Sequence, residues 1–123
     1  LAAFGRVDVS VHRRPRVAVL STGNEVCPPD ETPPPGKVRD VNQYTLAALA
    51  ASAGCEVHTA GIVPDDADAL EATLRALVAR HDVVLLSGGS SVGERDLTEE
   101  VVTRLGPPGV LFHGIDVRPG RPT

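Results

Sequence analysis

Val83-Val84-Leu85-Leu86-Ser87-Gly88-Gly89-Ser90-Ser91-Val92-Gly93-Glu94-Arg95-Asp96 decides the fold. It opens as a short apolar run with β-branched residues, the composition of a strand covered on both faces in a parallel sheet. The run stops in Ser-Gly-Gly-Ser-Ser, where Gly88 and Gly89 let the backbone turn sharply and approach a ligand with no Cβ in the way. Apolar spacing resumes at Leu97, Val101, Val102 and Leu105, which predicts a helix. Strand, small-residue loop and helix together aim backbone N–H groups at an anion. Asp96 has two readings. It is a helix N-cap, with Glu99 completing a capping box, or a carboxylate beside a phosphate, holding Mg²⁺. The loop contains neither a Gly-Lys-Ser/Thr P-loop nor a G-x-G-x-x-G sequence.

The same alternation runs outward in both directions. Upstream, Val17-Ala18-Val19-Leu20 predicts a first buried strand ending in Ser21-Thr22-Gly23-Asn24-Glu25, a small polar loop that is either a turn or a ligand cradle. Residues 27–36 hold five prolines and Gly36, which predicts an extended surface excursion. Lys37-Val38-Arg39-Asp40-Val41-Asn42 leads into a helix, with Asn42 as N-cap, Leu46, Leu49, Ala50 and Ala53 on its apolar stripe, and Gly54 as its stop. Arg39, Asp40 and Asn42 at that helix start are either ligand-facing or solvated. Glu56–Val63 predicts the next strand, and Pro64-Asp65-Asp66 starts a helix with Leu70, Leu74, Leu77 and Val78 inward. Capping explains the Asp65/Asp66 pair better than a catalytic dyad does. Val110–Val117 predicts a further strand, and Arg118-Pro119-Gly120-Arg121-Pro122 places two guanidiniums around a rigid turn. Such a turn is either a solvated basic turn or a site for a tetrahedral oxyanion.

Strands alternating with helices predict a three-layer α/β/α domain on a mostly parallel sheet over 16–123. Residues 1–15, with alternating Val7, Val9 and Val11, predict a lead-in strand or linker from a preceding domain. The absence of Met and the missing closing helix suggest a piece of a longer protein, truncated on its C-terminal side. Ligands in such sheets sit beyond the carboxyl ends of strands. The Ser21–Glu25 and Ser87–Asp96 loops share that rim, where Glu25, Asp96 and the two arginines suit a phosphorylated, Mg²⁺-bound substrate.

Composition narrows the function. In 123 residues, aromatics are 2% and the net charge is −4, with no basic stripe, so a base-stacking platform or bulk nucleic-acid binding is disfavoured. No run is long enough to span a membrane and no signal-peptide pattern is present, which favours the cytoplasm. Cys27 and Cys55 read as free thiols. His12, His58, His81 and His113 lie far apart in sequence without metal-ligand spacing and read as structural.

Four ordered segments carry a family resemblance: Ser21-Thr22-Gly23-Asn24-Glu25-Val26, Gly36-Lys37-Val38-Arg39-Asp40-Val41-Asn42, Ser87–Asp96 and Arg118–Pro122. Arg13-Arg14-Pro15-Arg16-Val17-Ala18-Val19 matches the family's approach to this domain. The chain resembles molybdopterin molybdenumtransferases, the molybdenum-insertion enzymes related to the E domain of gephyrin. The resemblance implies a molybdopterin-binding domain whose parent takes adenylylated molybdopterin and molybdate and releases AMP in a Mg²⁺-dependent step. It implies Asp96 and Glu25 as catalytic, metal-holding carboxylates. Ser21, Thr22, Gly23, Asp40, Asn42, Gly88, Gly89, Ser90, Ser91 and Gly93 would bind substrate, and Ser91, Arg118, Arg121 and Pro122 would hold molybdate. The chain departs from the family pattern in Asn24, where Asp is usual, and in Arg118 and Arg121, where Lys is common. The resemblance further implies a homodimeric parent whose site borrows residues from the second subunit, so the piece alone is expected not to turn over. The alternatives are a molybdopterin adenylyltransferase, a non-catalytic scaffold module, or a nucleotide hydrolase or deamidase of the same fold.

Overall fold

The computed structural model describes residues 1–88 and 97–115. The elements follow as β1 (Arg16–Thr22), β2 (Val26–Cys27), β3 (Val38–Arg39), α1 (Asn42–Ser52), β4 (Glu56–Val63), α2 (Ala67–Val78), β5 (Val83–Ser87) and α3 (Leu97–Arg104). The main sheet is parallel in the order β4-β1-β5, and β2 and β3 form a separate parallel pair. The parallel sheet and its strand–helix alternation match the sequence expectation.

β1 is central because it is apolar on both faces: Val17, Ala18, Val19 and Leu20 are all buried. Side chains alternate along a strand. Ala18 and Leu20 meet Leu70, Leu74 and Leu77 of α2 and Val101 of α3 on one face. Val17, Val19 and Ser21 therefore point to the other face, where α1 packs across β1 and β4. Burying a leucine fully is worth about 1.5–3 kcal/mol, so Leu20 and Leu70 anchor the layer they share.

The helix caps follow local chemistry. The carboxylate of Asp66, in extended backbone, accepts from Ala69 N at 2.8 Å and caps α2. Asn42 is not the cap of α1. It sits one residue inside the helix, and Asp40 Oδ1 accepts from Gln43 N at 3.1 Å instead. The buried stripe of α1 is displaced accordingly: Gln43 is buried and Leu46, Ala47 and Ala50 are half-buried, whereas Leu49 is 61% exposed. Val78 likewise lies outside the buried stripe of α2.

One strand expectation, over 110–117, fails in its described part, and one alternative drops out at the start of the chain. Residues 7–15 form no strand, which leaves the linker alternative. Val7, Val9 and Val11 are exposed, and the segment is tied down at Arg13, whose guanidinium forks onto both carboxylate oxygens of Asp82. Residues 110–115 form no strand either: they are exposed and find no ladder partner, without which an apolar run does not become a strand. His58 and His81, far apart in sequence, are neighbours in space with stacked rings 5.1 Å between centroids. Cys27 and Cys55 are free thiols. Among the described residues no helix is long and apolar enough to cross a membrane.

Candidate functional site at the carboxyl rim

β1 and β5 run in register from Val17/Val83 to Ser21/Ser87, so two serines stand side by side where the strands end. Asn42, freed from capping, donates from Nδ2 to Ser87 Oγ at 2.8 Å, which ties the start of α1 to this rim. Ser21 is 2% exposed, and its hydroxyl has no hydrogen-bond partner among the described residues. A buried hydroxyl without a partner costs about 1–3 kcal/mol, so Ser21 is a buried hydroxyl with unused donor and acceptor capacity near the end of β1.

Gly88 leaves β5 at φ 115°, and a Cβ there would overlap the carbonyl oxygen of Thr22. This close approach of the two strand-end loops is the role the sequence assigns to a glycine at this point. A Cβ at Gly23 would lie 2.6–2.8 Å from the carboxylate atoms of Glu25. The Glu25 carboxylate therefore folds back over the Gly23 backbone, while its own carbonyl accepts from Val38 N at 2.8 Å.

Asp65 holds this loop in place. Its carboxylate accepts from Thr22 Oγ1 at 3.3 Å and from Asn24 N at 3.0 Å, and its N–H donates to Asn24 Oδ1 at 3.2 Å. Only Asp66 of the Asp65/Asp66 pair is a cap. The sequence reading missed Asp65 as a site residue, and the signal that would have found it is positional: it follows β4, the neighbour of β1 in the same parallel sheet. Asn24, where the resemblance implies a usual Asp, uses its amide oxygen to accept from Asp65 N. That geometry needs an acceptor and no charge.

On the other side of the α1 start, Asp40 and Gln43 are buried at 5% and 8% exposure. Gln43 Nε2 donates to Gly61 O at 2.8 Å. That carbonyl is presented by a bulge in β4, where Val19/Thr59 and Ser21/Ile62 pair around an extra residue. Ser21, Thr22, Gly23, Asp40, Asn42, Gly88 and Glu25 thus all lie on one rim. The candidates Gly89, Ser90, Ser91, Gly93, Asp96, Arg118, Arg121 and Pro122 lie outside the described residues. Among the described residues no group of three or more His, Cys, Asp or Glu side chains could hold a metal ion. Glu25 and Asp65 supply hard carboxylate oxygens, the donor type Mg²⁺ takes one or two of while keeping several waters.

Residues 18–123 match the family described as a probable molybdopterin binding domain. The chain is 42% identical over 122 residues to a molybdopterin molybdenumtransferase of Nostoc sp., covering 99% of this chain and 28% of that protein. It is 36% identical over 122 residues to the enzyme of that name from Haemophilus influenzae, covering 99% of this chain and 30% of the relative. A crystal structure of a molybdopterin biosynthesis moeA protein from a Pyrococcus species superposes with a TM-score of 0.77 at 38% identity, covering 99% of this chain and 30% of the other. The chain spans less than a third of the length of each.

Proposed function

The chain belongs to the probable molybdopterin binding domain family, and on that premise we propose that its rim binds adenylylated molybdopterin in a homodimeric, cytoplasmic molybdenumtransferase. In this reading the parent enzyme inserts molybdenum from molybdate and releases AMP. The observation that carries it is the unpartnered, buried Ser21 hydroxyl beside the Ser87–Asn42 pair, at the carboxyl ends of adjacent parallel strands. Hydroxyls with unused hydrogen-bond capacity and turning backbone at the carboxyl ends of parallel strands suit phosphate oxygens. The names of the relatives, molybdopterin molybdenumtransferase, support the same chemistry.

The roles follow from the groups present. Ser21 and Gly88 line the end of the strands, and Asn42 fixes the orientation of the Ser87 hydroxyl by donating to it. Asp65 keeps Thr22, Gly23 and Asn24 in one conformation, so the backbone there is preorganised before substrate arrives. Glu25, and Asp96 as the resemblance implies, would hold a Mg²⁺ ion, which when bound would neutralise phosphate charge. Gly89, Ser90 and Gly93, which lie outside the described residues, are assigned to the phosphates by the family resemblance alone. Ser91, Arg118, Arg121 and Pro122, likewise outside the described residues, would hold molybdate as the resemblance implies, a tetrahedral dianion that guanidinium forks fit.

The test is molybdate-dependent AMP release by the full-length protein, comparing wild type with Glu25→Gln and Asp96→Asn. Each substitution is expected to lower the rate roughly 100-fold or more, the scale for losing one electrostatic group at a reacting centre. Undiminished AMP release in both variants removes the carboxylates from the mechanism. ATP-dependent adenylylation of molybdopterin, with no response to molybdate, assigns the protein to the preceding transferase step instead.

A further inference from the structure

We propose that the cleft between β2, the first turn of α1 and the β4 bulge takes the pterin ring itself, with the Asp40 carboxylate accepting from two adjacent ring N–H donors. This rests on the functional reading above and assigns the two ends of the substrate to opposite sides of the α1 start. The cleft encloses about 380 Å³, within the range of roughly 300–1,000 Å³ usual for small-molecule sites. Its walls are Val26, Pro28, Pro29, Ile62 and Tyr44, and its polar groups come from Asp40 and Gln43. A few convergent polar groups within apolar and aromatic walls are what a planar heterocycle requires.

Asp40 is the informative residue. It is 5% exposed, yet its oxygens meet only Gln43, at 3.1 Å from the backbone N–H and at 3.5 Å from Nε2. The second distance is at the limit of a hydrogen bond. Among the described residues no ion pair reaches Asp40. Arg39, next to it in sequence, turns its Nε to Pro29 O at 3.0 Å. A carboxylate has about four acceptor positions, and burying one without a cation is costly unless donors fill them. The cleft is the direction from which donors can arrive.

The two oxygens also select the donor. A 2-amino-4-oxo pyrimidine ring, as in a pterin or guanine, presents an amino N–H and a ring N–H side by side, so two parallel hydrogen bonds reach one carboxylate, as a guanidinium fork does. Adenine presents a donor beside a ring-nitrogen acceptor, and that acceptor would face a carboxylate lone pair. Asp40 therefore accepts the pterin end and rejects the adenine end. Tyr44, 58% exposed at the start of α1, supplies an aromatic wall for the ring.

The experiment is calorimetric titration of the full chain with 6-hydroxymethylpterin, guanosine and adenosine. Pterin and guanosine are expected to bind at least tenfold more tightly than adenosine. Asp40→Asn retains the acceptor oxygen for Gln43 N, so α1 keeps its cap, and circular dichroism checks this. That variant should weaken pterin roughly 10- to 100-fold, the effect of losing a charged acceptor, and leave adenosine unchanged. Tyr44→Ala, at an exposed position that does not threaten folding, should weaken pterin as well. Absence of pterin binding by the wild-type chain, equal affinity for adenosine, or indifference to Asp40→Asn overturns the assignment. Asp40-dependent pterin binding without molybdate-dependent AMP release supports the cleft and overturns the molybdenum-insertion reading. AMP release that needs Glu25, with pterin affinity indifferent to Asp40→Asn, overturns the cleft alone.

Discussion

Substituting Gly88 by alanine perturbs the point at which the two strand-end loops touch. Residue 88 has φ 115°, where a Cβ is strained whatever the space around it. The new methyl would also overlap the Thr22 carbonyl oxygen and lie 3.0 Å from its carbon and 3.1 Å from Cγ2. Thr22 is 2% exposed and its hydroxyl donates to Asp65, so it has little room to retreat. Positive φ costs a non-glycine residue about 1–2 kcal/mol, and overpacking costs about 1–3 kcal/mol, giving about 2–5 kcal/mol together. With an unfolding entropy of about 2.1 cal/mol/K per residue, 1 kcal/mol moves the midpoint of a chain this size by about 4 °C. Gly88→Ala should therefore lower Tm by about 8–20 °C in a thermal scan followed by circular dichroism. Gly54 provides the control: its φ is 86°, but nothing lies within 4 Å of its Cβ position. Gly54→Ala should show the dihedral cost alone, about 4–8 °C. Equal losses in the two variants would refute the claim that the loops are in steric contact.

Leu70, with no exposed surface, packs between β1 and α3. Leu70→Ala should cost about 2–5 kcal/mol by urea unfolding. Asp66→Ala removes the acceptor for Ala69 N and should cost about 1 kcal/mol, seen as a lower midpoint with slight loss of helical signal. Asp82 gives a pH prediction. Hydrogen bonds from the Arg13 side chain, and next from Arg16 N, hold its carboxyl well below the usual carboxylate range. A folded-state pKa below the unfolded value stabilises the fold above the unfolded pKa and loses that contribution as pH falls. The stability gap between wild type and Asp82→Asn should thus be full above about pH 4 and narrow below it, measured by urea midpoints at a series of pH values.

Where the sequence was legible, a local pattern coincided with a tertiary demand. The apolar runs at 17–20 and 83–87 both became strands of the parallel sheet, but only the first is buried on both faces: among the described residues β5 pairs on one side alone, Val83 is exposed and the rest of the strand is half-buried. Asp66 capped its helix because N-capping is decided within four residues. Asn42 was misread because two nearby residues could cap α1, and the choice went to Asp40 once Ser87, 45 positions away, offered Asn42 a partner. Residues 110–115 carried strand-like composition, but a ladder depends on a neighbour that composition does not reveal. Asp65 shows the same limit at the site. Its partners Thr22 and Asn24 are 43 and 41 positions distant, and only the adjacency of β4 to β1 brings them together.

The two rims of the sheet use carboxylates in opposite ways, and the contrast locates the chemistry. At the amino ends of the strands, Asp82 is met by the Arg13 fork and by Arg16 N, with the Arg16 guanidinium 3.8 Å away. Its charge and acceptor capacity are consumed internally, so it fastens the chain and offers nothing to a ligand. At the carboxyl ends, Asp65 and Asp40 bond only to neutral hydroxyl and amide groups, and among the described residues no Arg or Lys pairs with either of them or with Glu25. Asp40 and Asp65 therefore keep acceptor positions that no cation among the described residues takes up. An incoming cation or a donor-rich ring can fill those positions, which the internal ion pairs of the opposite rim have already used up at Asp82. An arginine introduced beside Asp40, as in Gln43→Arg, would occupy its free acceptor positions from within and should weaken pterin binding in the calorimetric titration.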